Sequence, residues 1–560
     1  MFKIDEIKTI SLKYLFLIGA AIGGIFFVLI YGARVLDFTN TGWLFYGDND
    51  LRQHYIAWCH YRSDAWHFPI GLIDSLSVPN SMSVIYTDSI PIFAVFFKLF
   101  ARVLPVTFQY FGLFGFISFM LMGGLSAVFL ARFIKDPIIC ILGSVFFVTS
   151  FQVIHRMYYH TALSAQWIII LALIIWVYDE RIKGLFKKGL IWAGMGFLCV
   201  AIHSYFLPMV GMPLAALMTQ QYLLNHKEKD DIVQSLKLPM IEFFSFCIAG
   251  ILNLWILGGF YGGTDASGFG LGTFSSNLNT FINPLNYGKL MKPLPMLFDF
   301  QYEGFGYLGC GILFLFFATA VGMIFRMVRK IPEEAFHSNK IYGRMTLLVV
   351  VVSILSATCP IIAFGDKEII HVPYPGFVEK ILSIFRSNGR LIWVAVYILM
   401  ASAISFAAYT FRHYRLVAVA LIAAGLVLQL VDQSDVFKEK HQYFTADYQV
   451  STLWEDPALA ELAKDKNEFV FLYTDNDITL HSAYYGYLHG IKQNNYYFAR
   501  DIDDLTRKEI NHYMDELSNG LVRDDVVYII TNNMYQENSE FYNSLPVDLI
   551  LNSDHIFFGK

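Results

Sequence analysis

The run Gly47-Asp48-Asn49-Asp50-Leu51-Arg52-Gln53-His54 places two carboxylates, a guanidinium and an imidazole in one short polar segment just beyond the first apolar stretch. A carboxylate in such a loop can act as a general base toward a hydroxyl nucleophile. Asp48 and Asp50 also form an Asp-x-Asp pair of the kind that holds a divalent cation, and Asp50 and His54 share a face if the segment is helical. A metal set of Asp48, Asp50 and His54 would suit Mn or Zn better than Mg. Asp is equally favoured as a helix N-cap, so both carboxylates also read as caps in a polar loop.

The other ionisable residues of interest are Asp88, His155, His160, His203, Glu303, Arg386 and Arg390, which lie in polar loops or at the ends of apolar segments. Charged groups at a membrane edge are costly to desolvate, so each is a candidate for function. Each also has a plainer reading. Asp88 precedes Pro91 and suits an N-cap. His160 and His203 suit hydrogen-bonded helix ends, Glu303 suits pairing with a loop lysine such as Lys289 or Lys292, and Arg390 suits anchoring a helix end at lipid phosphates.

These residues need a scaffold, and composition names it. Of 560 residues 56% are hydrophobic and only 16% charged, and the mean hydropathy is positive, which excludes an ordinary soluble enzyme and points to many membrane spans. A net charge of -5 gives no reason to expect a nucleic-acid partner. Five of the six cysteines fall in apolar stretches, Cys59 being the exception, so no disulfide framework is expected.

Runs of roughly 20 apolar residues mark crossings and flanking Lys/Arg set their direction. The first, 14–31, follows Lys3, Lys8 and Lys13 and leaves the cytoplasm as an uncleaved anchor. Basic loops at Arg132/Lys135, Arg181–Lys188, Lys227–Lys237, Arg326–Arg344 and Arg412/Arg415 are expected on the cytoplasmic side. The expectation is about 11 crossings, good to one either way. The segment 85–104 breaks the alternation and is expected to be re-entrant, interfacial or reversed. Residues 1–433 form the membrane domain, with outer loops 32–83, 261–302 and 365–390. Residues 434–560 regain charge and mix short β-type runs with helices, as in a small extracytoplasmic α/β domain. Tyr484, Tyr485, Tyr487, Tyr496 and Tyr497 there suit either a sugar platform or, better, the core of that domain.

A first helix leaving the cytoplasm, a long outer loop opening on an Asp pair, many spans and a carboxy-terminal outer domain resemble the GT-C superfamily of membrane glycosyltransferases. The runs Gly47-Asp48…His54-Tyr55…Trp58…Tyr61-Arg62, Trp66-His67-Phe68-Pro69-Ile70-Gly71, Tyr86-Thr87-Asp88-Ser89-Ile90-Pro91, Phe108-Gln109-Tyr110-Phe111-Gly112, Gln301-Tyr302-Glu303-Gly304 and Phe385-Arg386-Ser387-Asn388-Gly389-Arg390 are similar to a bacterial multi-pass family usually placed beside those transferases.

The resemblance implies a GT-C-like polytopic helical fold in the cytoplasmic (inner) membrane and inverting transfer of a sugar on the outer face. The donor would be a polyprenyl-phosphate-linked sugar and the acceptor a glycan, lipid or protein hydroxyl. In that reading Asp48 is the base and Asp50 its helper or a metal ligand. Arg390, with Arg52 and Arg386 as alternates, stabilises the leaving phosphate; His54, Asp88, His160, His203 and Glu303 line the substrate site. A transporter of lipid-linked glycans and a non-catalytic scaffold are the competing classes.

Overall fold

The computed structural model describes residues 10–46, 49–229, 231–261, 271–328, 340–474, 477–499, 503–552 and 554–560. Among these, nine helices are long and apolar enough to cross a membrane: Leu12–Tyr31, Phe111–Leu130, Pro137–Tyr159, Leu185–Ile202, Ile232–Ile256, Cys310–Val328, Ile341–Thr358, Asn388–Thr410 and Arg415–Asp432. A shorter apolar helix, Thr161–Val177, and the Phe206–Lys229 helix lie between them in sequence. The protein is therefore a multi-span α-helical membrane protein. The longest helix in the segment 85–104 has eight residues, Pro91–Lys98. At 1.5 Å per residue that is about 12 Å, too short to cross.

The chain divides into two compact units. The first comprises residues 1–37, 110–251 and 267–446 and holds most of the spans. Its Leu12–Tyr31 and Phe111–Leu130 helices meet on glycine: a methyl group at Gly19 or Gly23 would run into the backbone of Gly123 or Phe119. Small residues let helix backbones approach closely where lipid supplies no hydrophobic drive between them. At one end of this unit, residues of three of the basic loops form ion pairs. There Arg415 pairs with Asp136 at 2.6 Å, Arg132 with Glu180 at 3.0 Å and Lys188 with Asp179 at 2.5 Å. Asp136 also caps the helix that begins at Pro137, accepting from the Ile138 amide. At the opposite end, buried Asp432 closes the Arg415–Asp432 helix and accepts from the Tyr307 hydroxyl at 2.8 Å and the Cys310 amide at 3.1 Å.

The second unit joins residues 38–109, 252–266 and 447–560. Its sheet has five strands in the order Lys492–Gln493, Glu468–Phe471, Val526–Thr531, His555–Gly559 and Asp548–Leu551; the first two pairings are parallel and the last two antiparallel. Helix Asp503–Ser518 lies in sequence between strands, and its Tyr513 and Leu517 pack into the same apolar cluster as Tyr528 and Phe558 of the sheet. From the other end of the sequence, the Asn49–Ser63 helix joins this domain. The Gln53 amide donates to the Tyr497 carbonyl at 2.7 Å, and the Tyr496 hydroxyl donates back to the Gln53 carbonyl at 2.6 Å. Tyr484 and Tyr496 are buried against it, and Tyr485 stacks on Trp454. Tyr484 and Tyr496 are thus domain core, while Tyr485, Tyr487 and Tyr497 are half-buried.

Candidate functional site

In the first unit the decisive group is Glu303, at the end of a short 3-10 helix, Asp299–Gly304. It is 5% exposed and receives two arginines: the Arg156 terminal nitrogen at 2.7 Å and the Arg390 Nε at 2.7 Å, both on the same carboxylate oxygen. Arg156 comes from the far end of the Pro137–Tyr159 span and lies 5.4 Å from the Trp393 ring centre. Arg390 lies 4.7 Å from the Tyr205 ring centre. Burial pushes the Glu303 carboxyl upward, but the charges of Arg156 and Arg390, with His160 adding to them, outweigh it and hold the group well below the usual carboxylate range.

The backbone that presents Arg390 is fastened on three sides. The Ser387 amide donates to the Tyr205 hydroxyl at 2.9 Å. The Asn388 side chain donates to the Ser356 and Cys359 carbonyls at 2.9 and 2.7 Å, closing the end of the Lys340–Thr358 helix. The Gly389 amide donates to the Phe274 carbonyl at 3.1 Å, and a Cβ there would collide with that carbonyl and with Gly304. Ser387-Asn388-Gly389 is thus a mount that holds Arg390 in place.

In the second unit, the His54 Nε2 stands 3.7 Å from the Asp88 carboxylate, with His54 fully buried and Asp88 nearly so. That separation exceeds a hydrogen bond. It is close to the spacing of about 3.4 Å between two donors bound tetrahedrally to one ion at roughly 2.1 Å. An imidazole and a carboxylate so placed are consistent with a divalent-cation site. The backbone around Asp88 is unusual: Asp88 and Ile90 both have positive φ, 49° and 54°. For a β-branched residue this is a real cost, and such strain concentrates at functional positions. Ser89, between them, donates to the His54 carbonyl at 2.8 Å and so ties the strained turn to the His54 helix.

A family model described as "Domain of unknown function (DUF6311)" matches residues 20–434. The chain belongs to the DUF6311 family. No curated protein matches it. The DUF6311 match takes in the Glu303 cluster and the His54–Asp88 pair and ends before the strands of the carboxy-terminal domain.

Several expectations from the sequence change in this DUF6311 protein. Asp48 and the side chain of Asn49 lie outside the described residues; Asp50 sits in the first turn of the Asn49–Ser63 helix, one turn before His54. Asp88 does not cap the Pro91 helix, whose N-cap position is Ile90 with no side-chain cap. Glu303 pairs with arginines rather than a loop lysine, and Lys289 instead pairs with Asp435 at 2.9 Å. Arg390 is buried at Glu303 instead of reaching for headgroups. Arg52 braces the second unit, donating to the Phe45 carbonyl at 2.8 Å and meeting the His481 ring at 3.0 Å. Arg386 is exposed, with no hydrogen bond or ion pair among the described residues. The His203 Nδ1 accepts the Tyr205 amide at 3.2 Å and so shapes the turn that carries Tyr205. His160 follows the Phe151–Tyr159 helix and adds to the positive surroundings of Glu303. Arg156 and Tyr205 escaped the sequence reading. For Arg156 the signal was present, an arginine close behind the apolar segment that starts at Pro137.

Proposed function

We propose that this protein is a GT-C-like membrane glycosyltransferase, moving a sugar from a polyprenyl-phosphate-linked donor to an acceptor hydroxyl on the extracytoplasmic face of the cytoplasmic membrane. The observation that carries the reading is the convergence of Arg156 and Arg390 on one buried carboxylate at the end of the spans opposite the basic loops. Guanidinium groups held rigid in a dry setting are suited to bind a phosphate and to stabilise the charge it gains on departure. By the positive-inside pattern that end faces out, where nucleotide sugars are absent and a lipid-borne donor is required.

In the reaction the acceptor oxygen attacks the anomeric carbon as the carbon–oxygen bond to phosphate breaks. The acceptor proton passes to a carboxylate, for which Asp48 is the first candidate and Asp50 the second. The electron pair leaves on the phosphate, met by Arg390 and Arg156, and configuration inverts. Glu303 acts as a positioning residue that orients both arginines. His54 and Asp88 would hold a divalent cation, which would supply Lewis acidity and positive charge to the second unit.

The test is transfer of radiolabelled sugar from a panel of polyprenyl-phosphate donors to a membrane extract by the purified protein, with and without EDTA. Wild-type turnover that is lost in Asp48→Asn with donor binding retained, and lost together with donor binding in Arg390→Ala, is the expected result. A wild type that binds no donor across the panel overturns the reading and leaves the scaffold or transporter class. EDTA sensitivity decides the cation.

A further inference from the structure

Beyond the Pro91–Lys98 helix, the chain turns its apolar side chains outward. Phe96, Leu99, Phe100, Val103 and Val106 are all exposed, Leu99 by 66% and Val103 by 80%. The backbone of the same turn is satisfied from within. The amides of Leu99, Phe100, Ala101, Val103 and Leu104 donate to carbonyls three or four residues back. Carbonyls that such a turn leaves over are taken by Arg62, itself buried: one terminal nitrogen donates to Pro105 at 2.7 Å and the other to Ala101 at 2.9 Å and Leu104 at 3.0 Å. The Tyr487 hydroxyl takes the Val106 carbonyl at 2.8 Å. Lys98 also turns inward, its ammonium 3.9 Å from the Tyr61 ring centre and 4.7 Å from that of Trp66.

A turn facing water has no use for this arrangement, because water satisfies its carbonyls and its exposed side chains are polar. A turn facing hydrocarbon requires it, since every backbone group must find a partner inside the protein. Charge agrees: the exposed cation at the tip is Arg102, long enough to reach lipid phosphates while its stem lies along apolar surface. Chain length agrees as well. Val106 stands five residues before Phe111, where a membrane-crossing helix starts, so connectivity alone keeps it within about 18 Å of that helix end.

We propose that residues 96–106 are a monotopic membrane insert, with Phe96, Leu99, Phe100, Val103 and Val106 among lipid acyl chains, Arg102 at the phosphates and Arg62 as the internal partner that lets non-helical backbone enter the bilayer. This inference stands apart from the proposed reaction.

The experiment is nitroxide labelling of the full-length Val103→Cys protein in phosphatidylethanolamine–phosphatidylglycerol nanodiscs, read by power saturation with oxygen and with a nickel chelate. Labelled Lys464→Cys, at a position whose side chain is 63% exposed in the carboxy-terminal domain, gives the aqueous reference. Wild type treated in the same way gives the background from native cysteines. The expected result is high oxygen access and at least a tenfold lower nickel access at Val103 than at Lys464. Equal nickel access at the two positions would show an aqueous turn and overturn the proposal. Low access to both reagents would show the face covered by protein, such as a second copy of the chain, and would overturn it equally.

Discussion

Glu303 shows how one side chain can fix the geometry of others. Two arginines enter the same buried volume because a single carboxylate oxygen receives both, and removing that carboxylate leaves two desolvated cations facing each other. Breaking a buried pair from one side costs about 3–5 kcal/mol, far more than an exposed pair contributes. Glu303→Gln is therefore expected to lower the thermal midpoint in nanodiscs sharply, and a midpoint unchanged from wild type would remove the cluster from the core of the fold. The pH dependence has a definite sign. The folded carboxyl is held below its ordinary value of 4.5, so the unfolded chain binds the proton more readily. Its stabilising contribution is complete above about 4.5 and is lost as the pH falls through the lower folded value. Wild type should lose this increment on acidification, and Glu303→Gln should have none of it to lose. The same variant is expected to weaken donor binding, because Arg156 and Arg390 are no longer held.

Helices carry these residues to one place, and their contacts divide into those that sequence reveals and those it hides. The Leu12–Tyr31 and Phe111–Leu130 helices pack where Gly19 and Gly23 meet Gly123 and Phe119. Gly123→Leu is expected to prise them apart, seen as lost protein yield and a lower midpoint, whereas Gly194→Leu, at a glycine with open space around its Cβ, should be tolerated. Equal behaviour of the two variants would refute close packing there. Spans of this kind were legible because bilayer thickness demands a long apolar run, and the parity of basic loops, together with Lys98 and Arg102, marked 85–104 as the segment expected to be re-entrant, interfacial or reversed. Of the carboxy-terminal strands, Glu468–Phe471, Val526–Thr531 and Asp548–Leu551 were legible from their β-branched and aromatic runs. Two things were not. The Asn49–Ser63 helix has a polar sequence, yet Tyr55, Ile56, Ala57, Trp58 and Cys59 are wholly buried, because its partners lie hundreds of residues away and no local period encodes them. The pairing of Glu303 with Arg156 and Arg390 was hidden for the same reason: charge complementarity across such separations is decided by packing, and nearby loop lysines looked like the simpler partners.

At the scale of the whole molecule, the first loop and the carboxy-terminal domain form one compact unit although the spans separate them in sequence. Their joints are backbone as well as side chain: the Val78 amide donates to the Gln493 carbonyl at 3.0 Å and the Ala499 amide to the Tyr86 carbonyl at 2.8 Å, while the buried His60 ring meets the Ala483 carbonyl at 2.8 Å. Deleting residues 447–560 would leave those groups without partners and bare the Tyr55 side of the Asn49–Ser63 helix. Residues 447–560 all fall in the second unit, and the first is built from 1–37, 110–251 and 267–446. A chain ending at Ala446 is therefore expected to keep residues 110–446 resistant to protease in nanodiscs while residues 38–109 become rapidly cleaved. Mass spectrometry of the fragments reads this directly, and resistance of 38–109 in the truncated chain would show that the loop folds by itself. The DUF6311 match ends at residue 434, yet the loop that carries Asp50, His54 and Asp88 shares its core with residues that follow. The carboxy-terminal domain thus fixes the helix on which His54 stands, and its loss is expected to abolish whatever chemistry that helix supports while leaving the membrane bundle folded.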